Sequence, residues 1–253
     1  MKKKQGNKSQ EESGIRTAKV FDISAWQPKT ELGKKVKAGE ITNIDQILDK
    51  GIRILEAEIV DALVPDLESD LLSIGRSKGK FGGGKKSIWR QTQKKSKEGN
   101  KPSFATMAIV GNKNGYIGMG VGKAKETMPA REKAVRRAKL NLIKIRRGCG
   151  SWDCGCGESH SVPFSSEGKC GSVIVRILPA PKGSNLILNE ECKKILNLAG
   201  IKDVYSKTKG KTSTKINLLK ACFESLKELS KIKVKADSAK RVGLTGVNKW
   251  KIE

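Results

Sequence analysis

The segment GCGSWDCGCGESH, residues 148–160, gathers Cys149, Cys154 and Cys156 with His160, the single histidine of the chain. Thiolate sulfur and imidazole nitrogen are the usual zinc ligands, and four of them close a tetrahedral structural site. The spacing C-x4-C-x-C-x3-H departs from the paired C-x2-C knuckle. Glycines 148, 150, 155 and 157 would let the loop wrap an ion, and they would equally suit a tight loop pressed on RNA. One structural zinc and no metal are both open readings of Cys149, Cys154, Cys156 and His160. Catalysis fits poorly. A thiol nucleophile needs a base oriented by a third group, and the only carboxylates close in sequence are Asp153 and Glu158. A zinc deaminase needs H-x-E followed by C-x-x-C, and neither the order nor the spacing matches. Cys170, Cys192 and Cys222 lie in apolar patterns and are expected in the core.

A second candidate is GMGVGKAKE. A phosphate-cradling loop needs Gly, four residues, then Gly-Lys-Ser/Thr. Ile117 stands where the first glycine belongs, and Ala124 follows Lys123. The dinucleotide fingerprint fails too, because the third glycine comes one residue early. What remains is alternation: Ile117, Met119 and Val121 interleaved with Gly118, Gly120 and Gly122. Such a strand has one apolar face and one bare face, which a backbone, a helix or RNA can approach closely.

Charge points to a polyanionic partner. The 253 residues carry 52 Lys and Arg against 26 acids, a net +26. That imbalance costs self-repulsion which RNA or DNA would offset. The basic N-terminus has no apolar stretch after it, and no apolar run approaches ~20 residues, so neither a signal peptide nor a membrane span is expected. The charge is unevenly spread. Residues 40–70 hold nine acids and two basic residues, 76–101 ten basic and one acid, and 123–147 ten basic and two acids. The expected phosphate contacts are Lys85, Lys86, Arg90, Lys94 and Lys95 in the first basic stretch. In the second they are Lys123 and Lys125, then Arg136 and Arg137, then Arg146 and Arg147. Aromatics are only 4% of the chain, so base stacking is not the main mode. Phosphate and 2′-hydroxyl contacts to folded RNA are. The acidic stretch should face protein or solvent.

These residues need elements to hold them. Residues 1–20 read as polar and disordered, and 21–39, with Trp26, as an irregular arm seeking a partner surface. Thr42 is a candidate cap for a helix over Ile44–Leu48, and a short helix is expected around Ile59–Leu63. FATMAIV and YIGMGVG form a hairpin about Asn114-Gly115. Thr127 can cap the next helix, where Ala130, Ala134 and Ala138, with Leu142, recur every four residues as a seam for close packing. HSVPF and GSVIVRILPAP read as strands and Glu190–Ala199 as a helix closed by Gly200. IKDVYSKTKG gives a strand and Asn217–Ile232 an amphipathic helix. The fold class is α+β: an arm (1–39), two units (40–147 and 148–233) and a basic tail (234–253), with both basic termini disordered.

The stretch VGNKNGYIGMGVGKAKETMPAREKAVRRAKLNLIKIRRGCGSWDCGCGESHSVPF resembles the small-subunit ribosomal protein S-five family. So do GKCGSVIVRILPAPKG, LNLAGIKDVYSKTKGKT and WQPKTELGKKVKAGEI. The CGSWDCGC segment is similar to the archaeal branch. The resemblance implies a double-stranded-RNA-binding-like domain over 40–147 and a C-terminal domain with a left-handed βαβ crossover. It implies contacts with small-subunit ribosomal RNA and neighbouring ribosomal proteins, a place in cytoplasmic ribosomes near the messenger path, and a part in assembly and accuracy. It implies no enzymatic activity. FGGGKKSIWRQTQKKSKEGNK is longer than the loop at the matching place in that family. A free RNA chaperone or a zinc-containing RNA-binding regulator is the alternative.

Overall fold

The computed structural model describes residues 23, 26–76 and 86–246. Residues 1–20, read as disordered, lie outside that set, and so does Lys85. Three short helices come first: α1 (Glu31–Lys37), α2 (Asp45–Asp49) and α3 (Ala57–Leu63). An antiparallel sheet follows, built from β1 (Glu68–Leu72), β2 (Arg90–Ser96), β3 (Gly99–Gly111), β4 (Tyr116–Ala124) and β5 (Leu142–Lys144). Helix α4 (Thr127–Leu140) connects β4 to β5. Neither expected threonine cap is used. Helix α2 begins behind Ile44, not Thr42, and α4 behind Glu126, both without a side-chain cap bond.

The glycine stripe of β4 receives α4. A Cβ on Gly118 or Gly122 would stand 2.1 Å from the carbonyl oxygen of Ala138 or Ala130, and one on Gly120 would stand 2.4 Å from that of Ala134. Backbone therefore meets backbone, through alanines that are fully buried. Leu142, the fourth member of the expected seam, lies beyond the helix in β5. The opposite sheet face carries Met107, Ile109, Ile117 and Met119, all buried in one core shared with the C-terminal half. Side chains of that size contribute roughly 1.5–3 kcal/mol each when fully buried.

The arm finds its partner surface within the chain. Trp26 is buried in a second cluster with Ile47, Ile59, Val60 and Val110. The Glu56 carboxylate accepts from the Lys29 and Thr30 amides at 2.9 and 2.6 Å, and Thr30 caps α1 through the Gly33 amide at 3.1 Å. The acidic stretch also turns inward. Asp61 pairs with Lys139 at 2.6 Å, Glu58 with Arg136 at 3.8 Å, and Asp45 with Lys144 at 2.8 Å.

The second sheet runs β6 (Ser166–Cys170), β7 (Val173–Pro179), β9 (Val204–Lys209), β8 (Leu186–Ile187). Helix α5 (Glu190–Ala199) joins β8 to β9, its only parallel pair, as a βαβ unit, and α6 (Lys215–Leu229) follows. Gly200 closes α5 with φ +79°, as expected. HSVPF is not a strand: only Ser161 forms a bridge, to Gly148, and the strand lies just after it. The Ser-Glu-Gly-Lys-Cys composition hid it. Gly168 is there because α6 crosses so closely that a Cβ would stand 2.1 Å from the Ala221 carbonyl oxygen. Cys192 and Cys222 are buried and Cys170 half-buried.

The two halves are joined through backbone. Amides of Lys113 and Gly115, in the β3–β4 turn, donate to the Leu198 and Ala199 carbonyls at the end of α5, at 2.9 and 3.1 Å. The expectation of a disordered tail fails over 236–246. Helix α7 (Ala236–Arg241) forms, and Thr245 bridges back to Arg147. Among the described residues, no helix is long and apolar enough to cross a membrane.

Candidate nucleic-acid interface and metal centre

Strands β1 and β2 take consecutive stretches of the same edge of β3, since each lies across β3 from β4. The partner of β4 ends at Phe104, so residues 99–103 pair with β2 alone and project as a two-stranded ribbon. The ribbon turns at Lys97-Glu98. Register then decides which cations share a face. Arg90 and Lys123 both oppose Ala105, and Lys94 opposes Lys101. Alternation of side chains puts Arg90, Lys94, Lys101 and Lys123 on one face and Lys95 on the other. All five are exposed, as are Lys86 and Lys125. Lys101 was not among the residues singled out from sequence. It carries an exposed pair with Glu98 at 2.8 Å, and only the strand register reveals its alignment.

The other expected contacts stand differently. Arg136 is exposed and faces Glu58, while the Arg137 guanidinium donates to the Val121 carbonyl at 2.7 Å. Arg146 is only 2% exposed and donates to the Ile232 carbonyl. Arg147 donates to the Lys113 and Gly200 carbonyls, both at 3.3 Å. Burial pulls the pKa of both guanidinium groups down from the usual arginine range. Arg146 is thus buried on a backbone carbonyl, and Arg147 is committed to the junction of the two halves. A Lys/Arg count along the chain could not separate these from surface cations.

The cysteine-histidine loop closes on itself. Ligand atoms of Cys149, Cys154, Cys156 and His160 all lie within 4.8 Å of one another. The Cys154 Sγ to His160 Nε2 distance is 3.8 Å. Tetrahedral zinc with bonds near 2.3 Å to sulfur and 2.0 Å to nitrogen needs ligand–ligand edges of about 3.5–3.8 Å, so the donor set fits with a small contraction. Burial pushes the Cys149 thiol up to about 11, while backbone hydrogen bonds at Lys182 and Cys156 bring Cys154 down to about 6. The orienting group is Asp203, 43 residues away and missed from sequence. Its buried carboxylate takes the His160 Nδ1–H at 2.9 Å, which leaves Nε2 free to bind an ion. The other carboxylate oxygen accepts from the Gly183 and Asn185 amides at 3.1 and 2.9 Å, so its position is fixed. A histidine held by a carboxylate is the usual support of a metal ligand. The Lys202 and Asp203 amides donate to the His160 carbonyl at 2.8 and 3.2 Å.

The chain matches the family model "Ribosomal protein S5, N-terminal domain" over residues 88–146 and "Ribosomal protein S5, C-terminal domain" over 168–241. It is 50% identical over 226 residues to "Small ribosomal subunit protein uS5" of Nanoarchaeum equitans, covering 89% of this chain and 97% of that one. The protein of the same name from Methanobrevibacter smithii is 49% identical over 224 residues, covering 88% of this chain and 98% of the relative. That of Methanocaldococcus jannaschii is 46% identical, covering 88% and 96%. The chain belongs to the ribosomal protein S5 family. The basic ribbon lies inside the first matched domain of the family. The cysteine-histidine loop falls between the two matched domains, so neither of them accounts for it.

Proposed function

We propose that this chain is a structural, non-catalytic constituent of the small ribosomal subunit, held on small-subunit ribosomal RNA and against neighbouring ribosomal proteins in the cytoplasm. One observation carries the RNA contact: strand register aligns Arg90, Lys94, Lys101 and Lys123 on one exposed face that runs from β4 out onto the projecting ribbon. A row of lysines and arginine suits phosphates of folded RNA. The first half supports a double-stranded-RNA-binding-like reading, since short helices, a sheet and then α4 against one sheet face follow in order. The family resemblance adds a position near the messenger path and a part in assembly and accuracy. The Cys149, Cys154, Cys156 and His160 cluster enters as one structural zinc centre, closed by four protein ligands and therefore without an open position for substrate.

The test is RNA affinity against salt. Replacing Lys94, Lys101 and Lys123 by Gln should flatten the slope of log affinity against log salt by about three. An unchanged slope removes the ribbon from the interface. A free RNA chaperone would leave the small particle in high salt, whereas a subunit constituent should sediment with it.

A further inference from the structure

The zinc loop and the C-terminal segment are in direct contact. Cys149, one of the four ligands, donates its amide to the Val242 carbonyl at 2.8 Å. Its neighbour Arg147 exchanges two backbone bonds with Thr245, at 3.2 and 2.8 Å. A Cβ on Gly148 would stand 3.0 Å from the Val242 side chain, and one on Gly243, at φ +59°, only 1.6 Å from the Gly157 carbonyl oxygen. Both strands of the loop, at 148–149 and at 157, are therefore faced by residues 242–245.

Neither partner is self-sufficient. A six-residue helix such as α7 is far below the roughly 12–15 residues at which an isolated helix becomes marginal in water. The loop has little apolar burial of its own, with Trp152 96% exposed and Cys156 exposed. A segment with so few buried contacts opens easily unless something else fixes it. Four converging metal ligands, His160 among them oriented by Asp203, are such a device.

Resting on the reading of the cluster as a zinc centre, we propose that the metal is the clasp that docks residues 236–245. Metal occupancy then sets whether this strap is folded against the molecule. When docked, it holds the exposed cations Lys235, Lys240 and Arg241 in one place beside the loop, ready to face RNA phosphates. When the metal is lost, they hang on a loose chain. Coupling must be reciprocal: whatever zinc adds to strap docking, the docked strap adds to zinc affinity.

The experiment uses the purified full-length chain, loaded with zinc or stripped by a chelator. Elemental analysis gives the zinc content, and hydrogen exchange follows the amides of Cys149, Leu244 and Thr245. The expected result is one zinc per chain and exchange at these three amides about five- to a hundredfold slower with the metal. The amides of β3 and β4 should be unaffected. Gly243→Ala blocks docking without touching a ligand. It should weaken zinc binding by the same factor and remove the metal dependence of exchange. No stoichiometric zinc overturns the metal reading and the clasp with it. Zinc bound with equal exchange in both states overturns the clasp alone.

Discussion

At the residue scale, two side chains show how little a residue's type says about its task. Asp203 lies in a plain strand-and-turn sequence, yet its carboxylate serves His160, Gly183 and Asn185 together. Removing the support of a metal-bound histidine typically costs ten- to a hundredfold in metal affinity. Asp203→Asn should therefore weaken zinc binding by that much in a competition titration with a chelator. Arg146 is the converse case. It belongs to a basic cluster that reads as an RNA contact, but its guanidinium is buried on the Ile232 carbonyl. Arg146→Ala should lower stability by about 2 kcal/mol in urea denaturation, the usual scale for a hydrogen bond to a charged group. It should leave the salt slope of RNA binding unchanged. The ligands of the candidate metal centre were legible because cysteine and histidine are rare and chemically distinctive. Asp203 and Lys101 were not, because a position in space made them relevant.

At the element scale, the interlock of β4 and α4 was half visible. Alternating glycines announce a bare strand face, and alanines four apart announce a narrow helix seam. They match because two strand residues span about 6.7 Å and four helical residues about 6 Å. Sequence alone left open whether helix or RNA lay on that face, since both need close approach. Gly120→Ala should cost about 3 kcal/mol or more, since the new methyl would stand 2.3 Å from the Ala138 amide nitrogen, a backbone atom of the packed helix. The thermal midpoint would report the loss. The arm shows a different limit. Its anchor is Glu56, where burial raises the carboxyl pKa but hydrogen bonds from Thr30 and Lys29 outweigh it, leaving it below the ordinary range. A depressed pKa gives stability that is present above the unfolded value and lost as pH falls through the folded one. Exchange of the Lys29 and Thr30 amides should therefore accelerate below about pH 4, near the ordinary carboxylate value. Glu56→Gln should abolish that dependence. Nothing local to residues 26–39 reveals a carboxylate 26 positions on.

At the scale of the whole molecule, the net charge of +26 is less evenly available than the sequence implies. Acids of α2 and α3 are turned on α4 and β5, through Asp61–Lys139, Glu58–Arg136 and Asp45–Lys144. Such pairs at partly exposed positions add little stability, but they subtract cations from the surface offered to RNA. Charge reversal of Lys94 and Lys95 should consequently weaken RNA binding far more than the same change at Arg136 and Lys139, measured at one fixed salt concentration. The mixed helix-and-sheet class, the β3–β4 hairpin and helices α4, α5 and α6 were readable from periodicity and turn residues, whereas α1, β1, β5, β8 and α7 were not. The junction between the halves was not, because it is made of backbone groups that every residue carries. That junction bears on synthesis. The last carbonyls of α5, at Leu198 and Ala199, have their donors in a hairpin turn 85 and 84 positions upstream, at Lys113 and Gly115. Domains emerge from the ribosome with the N-terminal one first. The turn is therefore already in place when α5 appears, and the later half can complete itself on the earlier one as on a template. Expressed alone, the later half would end that helix on carbonyls with no protein donor.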